Sequence, residues 1–209
     1  MTVATTGMAA KNLKTAGIDH RVSTTRGGSH ASYFPFSQRL TMQIAFAPKT
    51  GQLLGAQIAG YDGVDKRIDV LSVYIQQGKT IYDLTEFEQA YAPPYSSAKD
   101  PINMAGFAAE NILKERLKIF HWEETDKIGP KVFPLDIRSP EEYQNGHIIS
   151  AINVPLYEIR ERMGEIPKEK NIFIYCEAGL RGYLAQRILV QNDFHQVKNL
   201  SGGYFLWKT

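Results

Sequence analysis

The run Ile172-Phe173-Ile174-Tyr175-Cys176-Glu177-Ala178-Gly179-Leu180-Arg181 joins four large strand-forming residues to the only cysteine in 209 residues. An apolar run this short, with no polar alternation, predicts a strand buried on both faces, which belongs in a parallel sheet. Residues 181–190 then place Leu184, Ile188 and Leu189 on one predicted helical face. Cys176 is thereby assigned to a strand-to-helix turn, at the strand ends where open α/β sheets bind their ligands. The first amides of a helix have no partners of their own and form a ready cradle for an anion. That field, with Arg181 nearby, favours the thiolate, the form of cysteine that acts as nucleophile. A lone cysteine is by base rate a buried core residue, but this position presents it as a nucleophile. The candidate site is Cys176 with Arg181, ringed by an anion-binding loop of Glu177, Ala178, Gly179, Leu180 and Gly182. Gly179 and Gly182 supply the backbone freedom a tight loop needs.

Outward from the cysteine, Lys131-Val132-Phe133-Pro134-Leu135-Asp136 and Ala151-Ile152-Asn153-Val154 are further short strand-like runs, each followed by a helix-compatible segment. The alternation predicts an α/β domain with a parallel sheet flanked by helices. Before it, residues 110–118 are charged and helical in character, which suits a tether, and the boundary is placed near Leu117. The domains are then residues 1–117 and 118–209. In the first, Leu40, Met42, Ile44 and Phe46 alternate with polar or small neighbours as a half-buried strand does. Pro48-Lys49-Thr50-Gly51 supplies a turn, and Leu53–Gly60 returns as a second strand. Val64, Ile68, Leu71 and Ile75 recur at helical spacing up to a capping Gly78. The two prolines of Tyr91-Ala92-Pro93-Pro94-Tyr95 break any helix, and Asp100-Pro101 opens another through Leu113. Strands followed by helices predict an α+β fold.

Composition bounds the function. Twenty-four basic residues against 22 acidic, net charge +2, give no field that would seek nucleic acid. No apolar run approaches the roughly 18 residues of a membrane span, and the first residues lack the pattern of a signal peptide, so a cytoplasmic protein is expected. One cysteine allows no internal disulfide, and the five histidines lack metal-ligand spacing, so no metal is expected. The first domain has no phosphate-binding glycine motif. Its Tyr33, Tyr91 and Tyr95 read, on residues alone, as core or interface aromatics.

Four ordered segments resemble successive signatures of the rhodanese family: Leu135-Asp136-Ile137-Arg138; Gly146-His147-Ile148 with Ala151-Ile152-Asn153-Val154-Pro155; Tyr175-Cys176-Glu177-Ala178-Gly179-Leu180-Arg181; and Leu200-Ser201-Gly202-Gly203-Tyr204 with Trp207. The resemblance implies that Cys176 accepts a sulfane sulfur from thiosulfate or polysulfide, becomes a persulfide and passes the sulfur to a thiol. Backbone amides of residues 177–181 would hold the persulfide and Arg181 would draw in an anionic donor. Asp136, Arg138 and His147 fall at signature positions and are read as structural. The same fold resembles that of cell-cycle dual-specificity phosphatases, whose loop is one residue longer between cysteine and arginine. The tighter loop suits one sulfur better than a phosphate.

Residues 6–113, chiefly Gly63-Val64-Asp65-Lys66-Arg67-Ile68-Asp69 and the segment from Tyr91 to Met104, resemble the dimerisation domain of pyridine nucleotide-disulfide oxidoreductases, in the branch of coenzyme A-disulfide reductases. In rhodanese-fused members of that branch this domain precedes a rhodanese domain, and the substrates are coenzyme A disulfides, persulfides and polysulfides. The resemblance implies a homodimer in which Tyr33 and Tyr91, with Tyr95 the alternative, reach the partner subunit's flavin-side cysteine. It implies FAD, NAD(P)H and coenzyme A for the full-length protein and no cofactor bound by this chain alone. The flavin and nicotinamide domains are not in these 209 residues, so an excised C-terminal fragment is expected, with a gene shortened at its front as the alternative. Two functions stand: sulfur transfer through Cys176, or a non-catalytic module that dimerises and binds a thiol or persulfide.

Overall fold

The computed structural model describes residues 1–209, the side chain of Lys127 excepted. The chain divides into two compact units, Met1–Lys114 and Glu115–Thr209.

The first unit runs β1 (Thr2–Gly7), α1 (Ala10–Thr15), β2 (Arg21–Gly28), β3 (Arg39–Phe46), β4 (Leu53–Gly60), α2 (Val64–Gln76), α3 (Ile81–Thr85) and α4 (Pro101–Leu113). Its four strands form an antiparallel sheet in the order β1-β4-β3-β2. The β3–β4 hairpin is where the alternating pattern placed it, with Leu40 opposite Gly60 and Ile44 opposite Ala56. Leu40, Met42, Ile44 and Phe46 all enter the core, against Leu71 of α2, Leu84 of α3 and Ile102 and Ala105 of α4. Each such side chain removed from water contributes roughly 1.5–3 kcal/mol. The turn closes through the Gly51 N–H on the Ala47 carbonyl at 2.9 Å, with Gly51 at φ +74°.

Helix α4 starts where Asp100-Pro101 predicted. The Asp100 carboxylate accepts from the Ile102 N–H at 2.9 Å, and the Asn103 side chain accepts from the Asp100 N–H at 2.9 Å. Two orphan donors are thereby satisfied around a proline that has no N–H to lose. Asp100 also forms a fully buried ion pair with Arg67 of α2, Nη2 to Oδ2 at 2.6 Å. The helical tether expected over residues 110–118 is formed only over residues 110–113. Helix α4 ends at Leu113, and Glu115 turns to φ +55°, a conformation no helix continues through.

The second unit runs β5 (Ile119–Phe120), a 3₁₀ turn at Trp122–Lys127, β6 (Val132–Asp136), α5 (Pro140–Gln144), β7 (Ile152–Asn153), a 3₁₀ turn at Met163–Glu165, β8 (Asn171–Tyr175), α6 (Leu180–Val190), β9 (Val197–Leu200) and α7 (Gly203–Trp207). All strand pairs are parallel, in the order β5-β9-β8-β6-β7. Strand β8 lies at the centre. Ile172 and Ile174 enter one core with Leu135, Val154 and Leu189, while Phe173 and Tyr175 enter another with Phe120, Leu200 and Tyr204. This is why the run shows no polar alternation: both faces are covered.

The strand expected at 151–154 is only Ile152–Asn153, and the 3₁₀ turn, rather than an α-helix, lies between it and β8. The buried side of α6 is Gly182, Ala185, Gln186 and Leu189, whereas Leu184 is 44% exposed. A polar glutamine occupies the inner face because its side-chain amide donates to the Lys118 and Val197 carbonyls at 2.8 and 2.7 Å. Among the described residues no helix is long and apolar enough to cross a membrane.

Candidate active site

Because every strand of the second sheet runs the same way, Asp136, Asn153, Tyr175 and Leu200 all end at one edge, and Cys176 follows the central strand there. The chain then turns through Glu177 and Ala178 to Gly179, at φ +108°, a value other residues rarely adopt. Helix α6 begins at the next residue. The turn curls its amides onto the sulfur: the Gly179 N–H points at Sγ at 3.1 Å and that of Gly182 at 3.4 Å. Of the amides expected over 177–181, that of Gly179 reaches Sγ, and the second donor comes from one residue further into the helix. The residue is 2% exposed, so Cys176 lies at the floor of its loop instead of being presented on the rim.

The loop is braced from below by the C-terminal segment. The Tyr204 N–H donates to the Cys176 carbonyl at 2.8 Å and the Phe205 N–H to the Glu177 carbonyl at 3.1 Å. Gly203 allows that approach, since a Cβ there would lie 2.5–2.6 Å from backbone atoms of residues 176–178. The Asn199 side-chain amide donates to the Gly179 carbonyl at 3.0 Å.

Arg181 stands on the first turn of α6, and its guanidinium is engaged by Glu142, Nη1 to Oε2 at 2.6 Å and Nη2 to Oε1 at 2.7 Å. The ion pair raises the Arg181 pKa, with a further contribution from the Cys176 sulfur, and brings the Glu142 carboxyl down to about 2. An arginine expected to offer free positive charge to a donor is thus already neutralised by a carboxylate. Glu142 escaped the sequence reading, although Ser139-Pro140-Glu141-Glu142 carries the signature of a capping box. Its carboxylate accepts from the Ser139 N–H at 2.9 Å, which fixes it at the start of α5. A cleft of about 560 Å³ opens beside this pair, lined by Leu156, Tyr157, Arg160, Leu184 and Arg187 among others.

Asp136 and Arg138 form a buried ion pair at 2.7 Å. Arg138 donates to the Gly146 carbonyl at 2.7 Å and lies 3.9 Å from the Tyr204 ring centre. One nitrogen comes within 3.6 Å of the Glu177 carboxylate, so this cluster ties loops together beneath the cysteine. His147 stacks on Tyr143, ring centres 3.9 Å apart, and meets the Tyr143 carbonyl at 3.0 Å. Burial and the neighbouring Asp136 push the Tyr175 phenol well above its ordinary pKa.

In the first unit the Tyr33 and Tyr91 hydroxyls are 2.8 Å apart. They are 75% and 47% exposed, which removes them from the core. The contact holds the Tyr91 phenol above its ordinary pKa. Tyr95 is 70% exposed, and its backbone carbonyl, not its hydroxyl, accepts from Lys66. Among the described residues no group of histidine, cysteine and carboxylates is arranged to hold a metal.

An antiparallel sheet with three covering helices, joined to a parallel sheet with a glycine-walled cysteine loop, defines a two-domain chain. Residues 1–101 match the pyridine nucleotide-disulphide oxidoreductase dimerisation domain and residues 122–209 the rhodanese-like domain. The chain is such a dimerisation domain followed by a rhodanese-like domain. Coenzyme A disulfide reductase of Staphylococcus epidermidis is 41% identical over 109 residues, 52% of this chain and 24% of the relative. Among solved structures, the reduced Bacillus anthracis CoADR-RHD aligns over 98% of this chain and 37% of its own, at 43% identity and TM-score 0.95. A NAD-dependent persulfide reductase from A. fulgidus aligns over the same shares at 35% identity and TM-score 0.89. The chain spans about a quarter of the curated relatives' length.

Proposed function

We propose that the second unit is a sulfurtransferase in which Cys176 carries sulfane sulfur, within a longer reductase of coenzyme A disulfides or persulfides. The observation that carries the reading is the pair of amides, Gly179 and Gly182, aimed at Sγ. The Cys176 thiolate attacks the sulfane sulfur of a donor such as thiosulfate. The donor's S–S bond breaks, sulfite leaves with the bonding electrons, and a cysteine persulfide remains. A thiol acceptor, as thiolate, then attacks the outer sulfur, takes it as a new persulfide and returns Cys176 to thiolate. Charge passes on and off sulfur in both steps, and preoriented donors in a buried loop stabilise such charge where it develops. Glu177, Ala178, Gly179, Leu180 and Gly182 form the loop, and Arg181, tied to Glu142, orders its helical side.

Thiosulfate, polysulfide or a coenzyme A persulfide would serve as donor in the longer protein, which would act as a homodimer in the cytoplasm. Its FAD and NAD(P)H would be held by other domains. Tyr33 and Tyr91, joined and exposed, would face the partner subunit's redox centre.

Intact-mass spectrometry after thiosulfate or polysulfide treatment tests the reading, since persulfidation adds one sulfur, about 32 Da. The adduct should map to Cys176, be discharged by cyanide or coenzyme A, and be lost in Cys176→Ala. A folded chain that gains no adduct would favour the second reading, a dimerising, thiol-binding module without turnover. The match of residues 1–101 to a dimerisation domain supports that alternative, and sedimentation at micromolar concentration checks its dimer.

A further inference from the structure

Gly179 sits at φ +108° and ψ −29°. A glycine has no side chain to restrain it, so a conformation of this kind persists only where neighbours hold the adjoining peptides. Two bonds do so here. The Gly179 carbonyl accepts from the Tyr183 N–H at 2.9 Å, the first turn of α6, and from the Asn199 side-chain amide at 3.0 Å.

Asn199 is well placed for that task. Its backbone is fixed on both sides, paired with Ile119 of β5 and with Ile174 of β8, two residues before the cysteine. The side chain is buried and fills the gap between the loop and α6 so closely that a Cβ on Gly182 would lie 1.9 Å from its Oδ1. The one amide therefore touches both glycines whose N–H groups point at the sulfur. Among the described residues its Oδ1 is buried without a hydrogen-bond partner. Such an acceptor costs stability, and an apolar residue would remove the cost. Packing alone therefore does not account for an asparagine here.

We propose that Asn199 is the positioning residue of the cysteine loop: its amide holds the Gly179 carbonyl turned away from Sγ, so that the Gly179 and Gly182 N–H groups stay aimed at the sulfur. The inference rests on the sulfur-transfer reading for its purpose. Its geometry stands without turnover.

The test uses the full chain and follows the ultraviolet absorbance of the Cys176 thiolate against pH, with Cys176→Ala as the blank. Asn199→Ala should keep the circular dichroism of the native chain while the thiolate appears at higher pH, leaving about tenfold less of it below the midpoint, the scale of one lost bond to a charged sulfur. Sulfur loading should slow in step, with the concentration of thiosulfate giving half-maximal rate unchanged. Asn199→Asp, nearly isosteric, should shift the same way, because its carboxylate repels both the Gly179 carbonyl and the thiolate. An unchanged midpoint in either folded variant overturns the proposal. So does an Asn199→Asp chain that fails to fold, which would assign the residue to the fold. If the native chain takes up no sulfur, the function proposed above fails while the titration still decides the role of Asn199.

Discussion

Arg181 and Glu142, from the first turns of two different helices, meet in a two-point ion pair of 2.6 and 2.7 Å beside the cysteine loop. Charge-assisted pairing of this geometry fixes a guanidinium in plane and orientation. Glu142→Gln would leave its positive charge uncompensated. Loading of Cys176 by anionic thiosulfate should then reach half its maximal rate at lower donor concentration, with little change in the maximal rate. An unchanged concentration dependence would show that Arg181 takes no part in drawing in the donor.

The same pair sets an acid response. The Glu142 carboxyl is depressed from 4.5 to about 2 by Arg181. A depressed carboxylate contributes stability that is fully present above its unfolded pKa and is lost as pH falls through the folded one. The difference in melting temperature between the native chain and Glu142→Gln should therefore be constant above pH 4.5 and shrink between 4.5 and about 2. Because the pair is partly exposed, the difference should also shrink with salt. A gap that persists at pH 2 would contradict the assignment.

Arg67 and Asp100 are buried completely, and Asp100 holds its charge below the ordinary carboxylate range because the Arg67 bonds outweigh the cost of burial. Removing one partner strands the other charge out of water. Arg67→Met should cost about 3–5 kcal/mol in denaturant unfolding of the first unit. A loss below about 1 kcal/mol would mean that Asp100 finds other partners, with Ser96 and Gln89 already in reach.

Tyr33 and Tyr91 offer a test without a change of fold, since both are exposed. The Tyr33 hydroxyl raises the Tyr91 phenol, so in Tyr33→Phe the Tyr91 phenolate should form at lower pH. Phenolate absorbance, with Tyr91→Phe as reference, gives the shift. No movement would mean the two hydroxyls are apart in solution.

At Gly203 a Cβ would meet the Cys176 and Glu177 carbonyl oxygens at 2.6 and 2.5 Å, and the backbone sits at φ +69°. Both the space and the conformation exclude a side chain. Gly203→Ala should destabilise the second unit by roughly 2–4 kcal/mol and slow sulfur loading together. Unaltered loading would show that the C-terminal segment does not shape the loop.

The central strand, the hairpin and the start of α4 were legible because each carries a local signal: an unbroken apolar run, an alternation of two, an Asp-Pro cap. Strands β1 and β2 were not, because Thr2–Gly7 and Arg21–Gly28 are small and polar and draw their order from pairing with β4 and β3. Strand β9 hides an asparagine and a lysine in Val197–Leu200 for the same reason. At the site, Cys176 and its glycines could be read from sequence. Glu142 and Asn199 could not, since they come 34 residues before and 23 after the cysteine, and only the parallel sheet brings them to it.

The floor of the loop holds the one thiol in these 209 residues, closed in by its own amides. No second cysteine here can resolve a loaded sulfur as an internal disulfide. On the sulfur-transfer reading proposed above, a persulfide on Cys176 would wait for a visiting thiol at the opening its donor had vacated. Donor and acceptor would take turns, and the kinetics expected are ping-pong, with either substrate at high concentration competing against the other.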